Sequence, residues 1–227
     1  MPPISILFFG SSANSTIVKK ALIAAGYQFT ADQKQADLVI SADYGQKLPS
    51  NGLNLHPSLL PKYRGPTPVP QQILNKETES GISIIKMTGE FDAGPIIAQE
   101  KVPVLPEDTS PDLLKRCFTS GAKLLVKILP DYLNNKITQK IQDESQADYT
   151  RKFTKADGFI SWEEFKKSRL SSTLDRKIRA YFPWPGVWTT LPNGKILKLL
   201  PKNLLQLEGK QPITMKQFLS GYKNLLA

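Results

Sequence analysis

Two short runs rich in β-branched and aromatic residues, Ile4 to Gly10 and Asp37 to Ser41, are separated by a helical pattern, and that order leaves few folds open. Strands joined through a helix cannot form a hairpin; the crossover lays them side by side in parallel, in an α/β layer whose strand ends carry the functional loops. Ser15 or Thr16 is expected to cap the helix, with Ile17, Ala21 and Leu22 facing inward and Gly26 ending it. Further strands are expected at Leu53 to His56, Gly81 to Met87 and Ile96 to Val102. A short helix is expected over Val69 to Asn75, and a long one opens at Ser110-Pro111, with Leu113, Leu114, Phe118, Ala122, Leu125, Ile128 and Leu129 on one face. Gly10-Ser11-Ser12 after the first strand is a weak phosphate-loop candidate, since it lacks the Gly-x-Gly-x-x-Gly pattern and a Walker lysine.

Charge divides the chain. The formal net charge of +10 falls entirely in residues 151–227, which hold 15 Lys/Arg against 5 Asp/Glu, whereas residues 1–150 are balanced. A neutral front and a strongly basic back suggest two modules, the second facing a polyanion such as RNA. From about Asn134 to Lys155 the sequence turns polar and loses periodicity, which reads as a linker. The expected division is 1–143, a linker at 144–162, and a basic module at 163–227. In the last, Leu170, Leu174, Ile178 and Tyr181 share a helical face, and short β segments follow around the Pro192-Asn193-Gly194 turn. Trp184 and Trp188 are expected to pack as core or hinge residues. Cys117 is the one cysteine, which excludes an internal disulfide and a thiolate metal cluster; it is expected to be buried filler. The first apolar run is too short for a membrane span or a signal-peptide core, so the chain is expected to be cytoplasmic, with no membrane partner.

His56 is the single histidine, so any imidazole chemistry must use it. Strand alternation puts Asn54 and His56 on one face of Asn54-Leu55-His56 while Leu55 points into the core. An amide donor and an imidazole at a strand end suit acyl transfer, because the first can hold a developing oxyanion and the second can manage an amine proton. Taken alone, the pair is weak evidence, because a lone histidine near a strand end is more often a structural residue.

Asn54-Leu55-His56-Pro57-Ser58-Leu59-Leu60-Pro61-Lys62-Tyr63-Arg64-Gly65, followed by Phe91-Asp92-Ala93-Gly94-Pro95-Ile96, resembles the central signature of the 10-formyltetrahydrofolate-dependent formyltransferases. The resemblance implies a reduced Rossmann-like α/β domain followed by a small OB-like β-barrel. It implies that Asn54, His56 and Asp92 are catalytic, with Asn54 and protonated His56 on the oxyanion and Asp92 holding the His56 tautomer or an ordered water. It also implies that Ser58, Leu59, Leu60 and Pro61 contact the folate co-substrate, and Ala42 to Pro49, with Tyr44 and Gly45, resembles the preceding folate-pocket loop. No metal is expected.

Tyr63-Arg64-Gly65-Pro66-Thr67-Pro68, Thr154 to Trp162 and Lys177 to Gly186 are similar to the branch that formylates initiator methionyl-tRNA. Arg64, Arg176, Lys177, Arg179, Lys195 and Lys198 are accordingly the expected tRNA-facing cations, in a chain expected to be monomeric. Sugar-nucleotide formyltransferases share the triad, glycinamide ribonucleotide transformylases share Asn-x-His-Pro-Ser-Leu-Leu-Pro, and a non-catalytic RNA-binding relative remains an alternative. Two departures stand out: the segment between the first helix and Asp37 is short, and the basic glycine-rich loop by which the family approaches the acceptor stem has no counterpart.

Overall fold

A computed structural model describes residues 4–46, 48 and 52–222. The α/β pattern builds a six-stranded sheet from β1 (Ser5–Phe9), β2 (Gln28–Thr30), β3 (Leu38–Ala42), β4 (Gly52–His56), β5 (Glu79–Lys86) and β6 (Ile96–Pro103), in the spatial order β2-β1-β3-β4-β5-β6. The first four strands run parallel, and β5 and β6 add as an antiparallel edge. β2 escapes sequence pattern because three residues at an edge show no usable period. Strand order reverses beside β1, where the chain leaves for β2 on one side and returns to β3 on the other. That switch point opens a crevice beyond the carboxyl ends of β1 and β3.

The helices are α1 (Ala13–Ala24), α2 (Pro68–Leu74) and α3 (Ser110–Leu133). Ser12, not Ser15 or Thr16, caps α1, its hydroxyl accepting the Ser15 amide at 3.0 Å. Ser15 is instead buried in the first turn, next to Gly10, where any side chain would strike the Ala42 carbonyl and Ser15. A Thr109 and Asp112 capping box starts α3, and Pro111 fits its first turn, where no backbone donor is lost. Its inward stripe, Leu113, Phe118, Ala122, Leu125 and Leu129, is sealed in one continuous core with Val18 and Leu22 of α1 and Ile82 and Ile84 of β5.

The polar stretch after α3 is not a free tether. Lys140 pairs with Ile96 through reciprocal amide-to-carbonyl bonds of 2.8 and 2.9 Å, and Arg64 pairs in parallel with Tyr149, its amide donating to the Asp148 carbonyl at 3.0 Å and its carbonyl accepting the Thr150 amide at 2.7 Å. Residues 140–150 therefore lie as a strap across the first module, a role that composition cannot reveal because its contacts are made by polar groups. Beyond it come α4 (Trp162–Ser168), α5 (Ser172–Tyr181), β7 (Val187–Thr190), β8 (Ile196–Leu200), β9 (Leu204–Leu207), β10 (Ile213–Thr214) and α6 (Met215–Gly221). The strands form an antiparallel meander, β10-β9-β8-β7, a small barrel-like module. Leu197, Leu199, Leu205 and Leu207 face inward and Lys198 outward. Leu170 is not on the inner face of α5: it lies between α4 and α5 and is 85% exposed. The Ser110 hydroxyl donates to the Ala180 carbonyl at 2.5 Å, and Arg179 Nη1 donates to the Asp108 carbonyl at 3.0 Å, so α5 is latched to the start of α3.

Gly121 lies in the middle of α3, where glycine normally costs a helix ~0.5–1 kcal/mol relative to alanine. Here a Cβ would sit 2.7 Å from Ile82 Cγ1 and 3.3 Å from Leu55 Cδ2, inside the core between α3 and the sheet. Gly121→Ala is therefore expected to lower stability by ~1–3 kcal/mol despite its better helix propensity, as overpacked cores do. Denaturant melts would check this, and a rise in the midpoint would contradict it.

Candidate active site

The site is assembled at the carboxyl end of β4. Leu53 and Leu55 are buried in the core, which turns Asn54 and His56 to the other face. Asp92, in the loop joining β5 to β6, comes to meet them: its Oδ1 lies 3.3 Å from Asn54 Nδ2 and 3.3 Å from His56 Nδ1. The other ring nitrogen, Nε2, is 2.8 Å from the Tyr63 carbonyl. A carbonyl can only accept, so Nε2 carries a proton and Nδ1 is the nitrogen turned toward the carboxylate. The second carboxylate oxygen accepts the Gly65 amide at 2.9 Å. Burial works against the charge of Asp92, but the His56 ring, the Gly65 amide and nearby Arg64 outweigh it and hold the carboxyl below the ordinary aspartate range.

Asn54, His56 and Asp92 share the wall of a cavity of about 1130 Å³. Ser41, Tyr44, Gly45, Leu48, Ile85 and Met87 line one end, beneath the crevice at the sheet's switch point. Pro68, Leu114, Lys152, Phe153 and Trp184 line it as well, together with Tyr149 and Thr150 at the end of the strap. Pockets for drug-sized ligands span roughly 300–1,000 Å³, so this cavity lies just above the top of that range.

Several sequence expectations change. Ser58, Leu59, Leu60 and Pro61 do not line the cavity. Ser58 is sealed and its hydroxyl donates to the Lys62 carbonyl at 2.7 Å; Leu60 packs with Ile85 and Ile96; the Leu60 amide donates to Ser83 Oγ at 3.1 Å. These residues brace the turn behind His56. Tyr44 and Gly45 do line the cavity, while Lys47 and Pro49 of the same loop lie outside the described residues.

Arg64 is not on the surface but completely buried, its guanidinium held by Gln142, Glu144 and Tyr149. A buried cation whose five donors all meet protein acceptors has none left for a phosphate, so Arg64 leaves the set of RNA-facing residues. Arg179 is half-buried and donates to Asp175 at 2.8 Å and to the Asp108 carbonyl, which leaves its remaining donors without a protein acceptor among the described residues. Arg176 and Lys177 are half-exposed on α5, and Lys195 and Lys198 are exposed on the β7–β8 hairpin. Trp188 packs against Phe159, with ring centroids 4.8 Å apart, and its indole donates to the Lys155 carbonyl, as a packing residue should. Trp184 does not: it is 58% exposed and stands at the cavity.

Gln142, the Tyr63 carbonyl and the Gly65 amide are structural partners of the site that sequence reasoning missed. Two of them act through the backbone, and Gln142 sits in a polar stretch without periodicity, so no residue-type signal marked them.

The formyl transferase family model matches residues 13–129, and the model of the formyl transferase C-terminal domain matches residues 152–205. The chain belongs to the formyl transferase family. It is 38% identical over 177 residues to the methionyl-tRNA formyltransferase of Roseiflexus sp. (strain RS-1), an alignment covering 74% of this chain and 53% of that protein. With the methionyl-tRNA formyltransferase of Dehalococcoides mccartyi (strain CBDB1) it shares 33% identity over 229 residues, covering 83% of this chain and 71% of the relative. The chain thus spans about half the length of the first of these relatives. Among solved structures, HypX from Aquifex aeolicus superposes with a TM-score of 0.73 at 19% identity, over 87% of this chain and 39% of HypX. A sugar N-formyltransferase from Shewanella sp. FDAARGOS_354 superposes with a TM-score of 0.67 at 20% identity, over 87% and 96%. At these identities the structural matches establish the fold alone.

The depressed Asp92 pKa has a stability consequence. Such a group stabilises the fold fully above its unfolded value, ~3.9, and that contribution disappears as pH falls through the lower folded value. Asp92→Asn removes the titration, so denaturation midpoints of the variant are expected to fall less steeply than those of the native chain below about pH 4. Parallel acid profiles would show that Asp92 is not held as described.

Proposed function

We propose that this chain transfers the formyl group of 10-formyltetrahydrofolate to the α-amino group of initiator methionyl-tRNA, as a cytoplasmic monomer without a metal. The observation that carries the reading is the convergence of an amide, the single imidazole and a carboxylate on one wall of a large cavity. The names of the similar proteins and the basic second module support the choice of amine.

The chemistry asks for three services. The attacking nitrogen must be neutral, the formyl oxygen must be stabilised as it becomes an oxyanion, and a proton must leave the nitrogen as the bond to the folate N10 breaks. Asn54 Nδ2 and, in the ring protonated on both nitrogens, His56 Nδ1 face Asp92 Oδ1 at 3.3 Å, contacts long enough to be exchanged for a substrate oxygen. Nε2 stays on the Tyr63 carbonyl and keeps the ring in place while Nδ1 works. Asp92 then accepts the proton from the nitrogen, directly or through one water, and the proton passes to N10 as it departs.

The crevice under β1 and β3, with Tyr44 and Gly45, is the folate end of this cavity. The end beside Lys152, Phe153 and Trp184 receives the aminoacyl end of the RNA, whose terminal base can stack on the exposed indole. Lys195, Lys198, Arg176 and Lys177 provide phosphate contacts farther along.

The test is a purified reaction with 10-formyltetrahydrofolate and charged initiator tRNA, read as formyl-methionyl-tRNA, beside the same reaction with amino-sugar nucleotides. Formylation of the tRNA is expected, and formylation of the sugar nucleotide alone would replace the proposed substrate. Asn54→Ala is expected to reduce kcat ~100- to 1,000-fold, the usual cost of one oxyanion donor. Trp184→Ala is expected to raise KM for the tRNA and leave KM for the folate unchanged. An unchanged KM for the tRNA would remove Trp184 from the substrate site.

A further inference from the structure

We propose that Gln142 is a positioning residue for the reaction: through its side-chain amide, the strap at 140–150 sets the place of Asp92 and thereby the geometry of the whole trio. The inference rests on the formyl-transfer reading for its kinetic consequence, though not for its structural one.

Asp92 has a backbone φ of 55° and Asp43 one of 51°, in the left-handed region that non-glycine residues adopt at some cost. A residue held there keeps its place only where neighbours over-determine it. Its side chain alone is poorly suited to supply that hold, because Oδ1 must remain free for exchange. Gln142 supplies it from behind. The Gln142 Nε2 group donates one hydrogen to the Asp92 carbonyl at 2.8 Å and the other to the Gly94 carbonyl at 2.7 Å. Gly94 has no space for a side chain, since a Cβ there would collide with the Lys86 carbonyl, so the loop is drawn against both β5 and the strap.

The amide is itself fixed. Its Oε1 accepts from Arg64 Nε at 3.1 Å and Nη2 at 2.8 Å. The rest of the guanidinium meets Glu144 at 2.7 and 2.8 Å and the Tyr149 hydroxyl at 2.8 Å, so all five donors are used. Gln142 cannot flip its amide without placing its NH2 group against the guanidinium. The same strap holds the residues that contact the trio from the other side. Asp148 accepts the Tyr63 amide on its carboxylate and the Arg64 amide on its carbonyl, and thereby places the Tyr63 carbonyl on His56 Nε2 and the Gly65 amide on Asp92 Oδ2.

A purely structural role would cost stability and nothing else. The test therefore uses the full chain with Gln142→Leu, Gln142→Glu and, as a control on the same strap, Gln146→Leu, whose native side chain is exposed and reaches Asp143. Glutamate keeps the acceptor for Arg64 but cannot donate to two carbonyls, so it separates support of Arg64 from support of the Asp92 loop. It also serves as the second variant if leucine prevents folding. With concentrations corrected for folded protein, Gln142→Leu and Gln142→Glu are expected to lower kcat ~10- to 100-fold, the scale of small misplacements of reacting groups. KM for the folate should change less than about threefold, and Gln146→Leu should match the native chain. The acid limb of the kcat profile should move to higher pH, as Asp92 loses its fixed contacts and returns toward an ordinary aspartate.

A second measurement is independent of turnover. Because His56 is the single histidine, its ring 15N resonances can be followed without assignment ambiguity. They are expected to shift in both Gln142 variants and not in Gln146→Leu. If the native chain formylates none of the amines tried and the ring still responds, the functional reading fails and the positioning role stands. Native-like kcat together with unmoved ring resonances in folded Gln142→Glu would overturn the proposal. So would a loss of activity that only tracks the loss of folded protein.

Discussion

A buried, fully bonded guanidinium holds the candidate site together. Removing a cation from water costs several kcal/mol even after relaxation, and the cost is tolerable only when charge and donors are both satisfied. Arg64 meets that condition with Glu144, Gln142 and Tyr149, all of them on a stretch of chain with no apolar periodicity. Glu144 and its hydrogen bonds are the main reason the Arg64 pKa lies above the ordinary arginine value, with burial opposing. The consequence is geometric: the strap must lie where the guanidinium needs it, and there it holds the Asp92 loop and the Tyr63 carbonyl.

The sheet supplies the other half of the constraint. Parallel pairing of β3 with β4 sets Ser41 beside Asn54 and Ala42 beside Leu55, so the switch-point crevice and the end of β4 open on the same side. Antiparallel β5 then sets Ile84 opposite Leu55 and Ser83 opposite His56, and its exit turn delivers Asp92 to the same edge. A one-residue slip of β4 would turn Asn54 and His56 into the core and Leu53 and Leu55 into the cavity. The apolar alternation that buries the two leucines is thus also what aims the polar pair.

This explains what could be read from sequence. Leu53 to His56 and the long α3 stripe carry periodic apolar signals, so strand, helix and the shared face of Asn54 and His56 were legible before any coordinates. The sheet's α/β class followed from the order of elements. What remained hidden shares a different physics. The cap of α1 turned on which of Ser12, Ser15 and Thr16 had an extended backbone; the three-residue β2 gave too short a pattern; the strap is held by side-chain amides, carboxylates and main-chain groups. Ser58 to Pro61 resemble a folate-contacting stretch by their place in a motif, and in the fold they brace the turn after His56.

Charge illustrates the same limit more sharply. A count of lysines and arginines treats all cations alike, yet Arg64 is wholly spent on internal acceptors while Lys195 and Lys198 remain in solvent. Arginine's planar fork can satisfy several acceptors at once inside a protein, and lysine's strongly hydrated ammonium stays more readily at the surface. The basic excess of residues 151–227 is mostly lysine. The second module carries that field while Arg179 ties α5 to the start of α3.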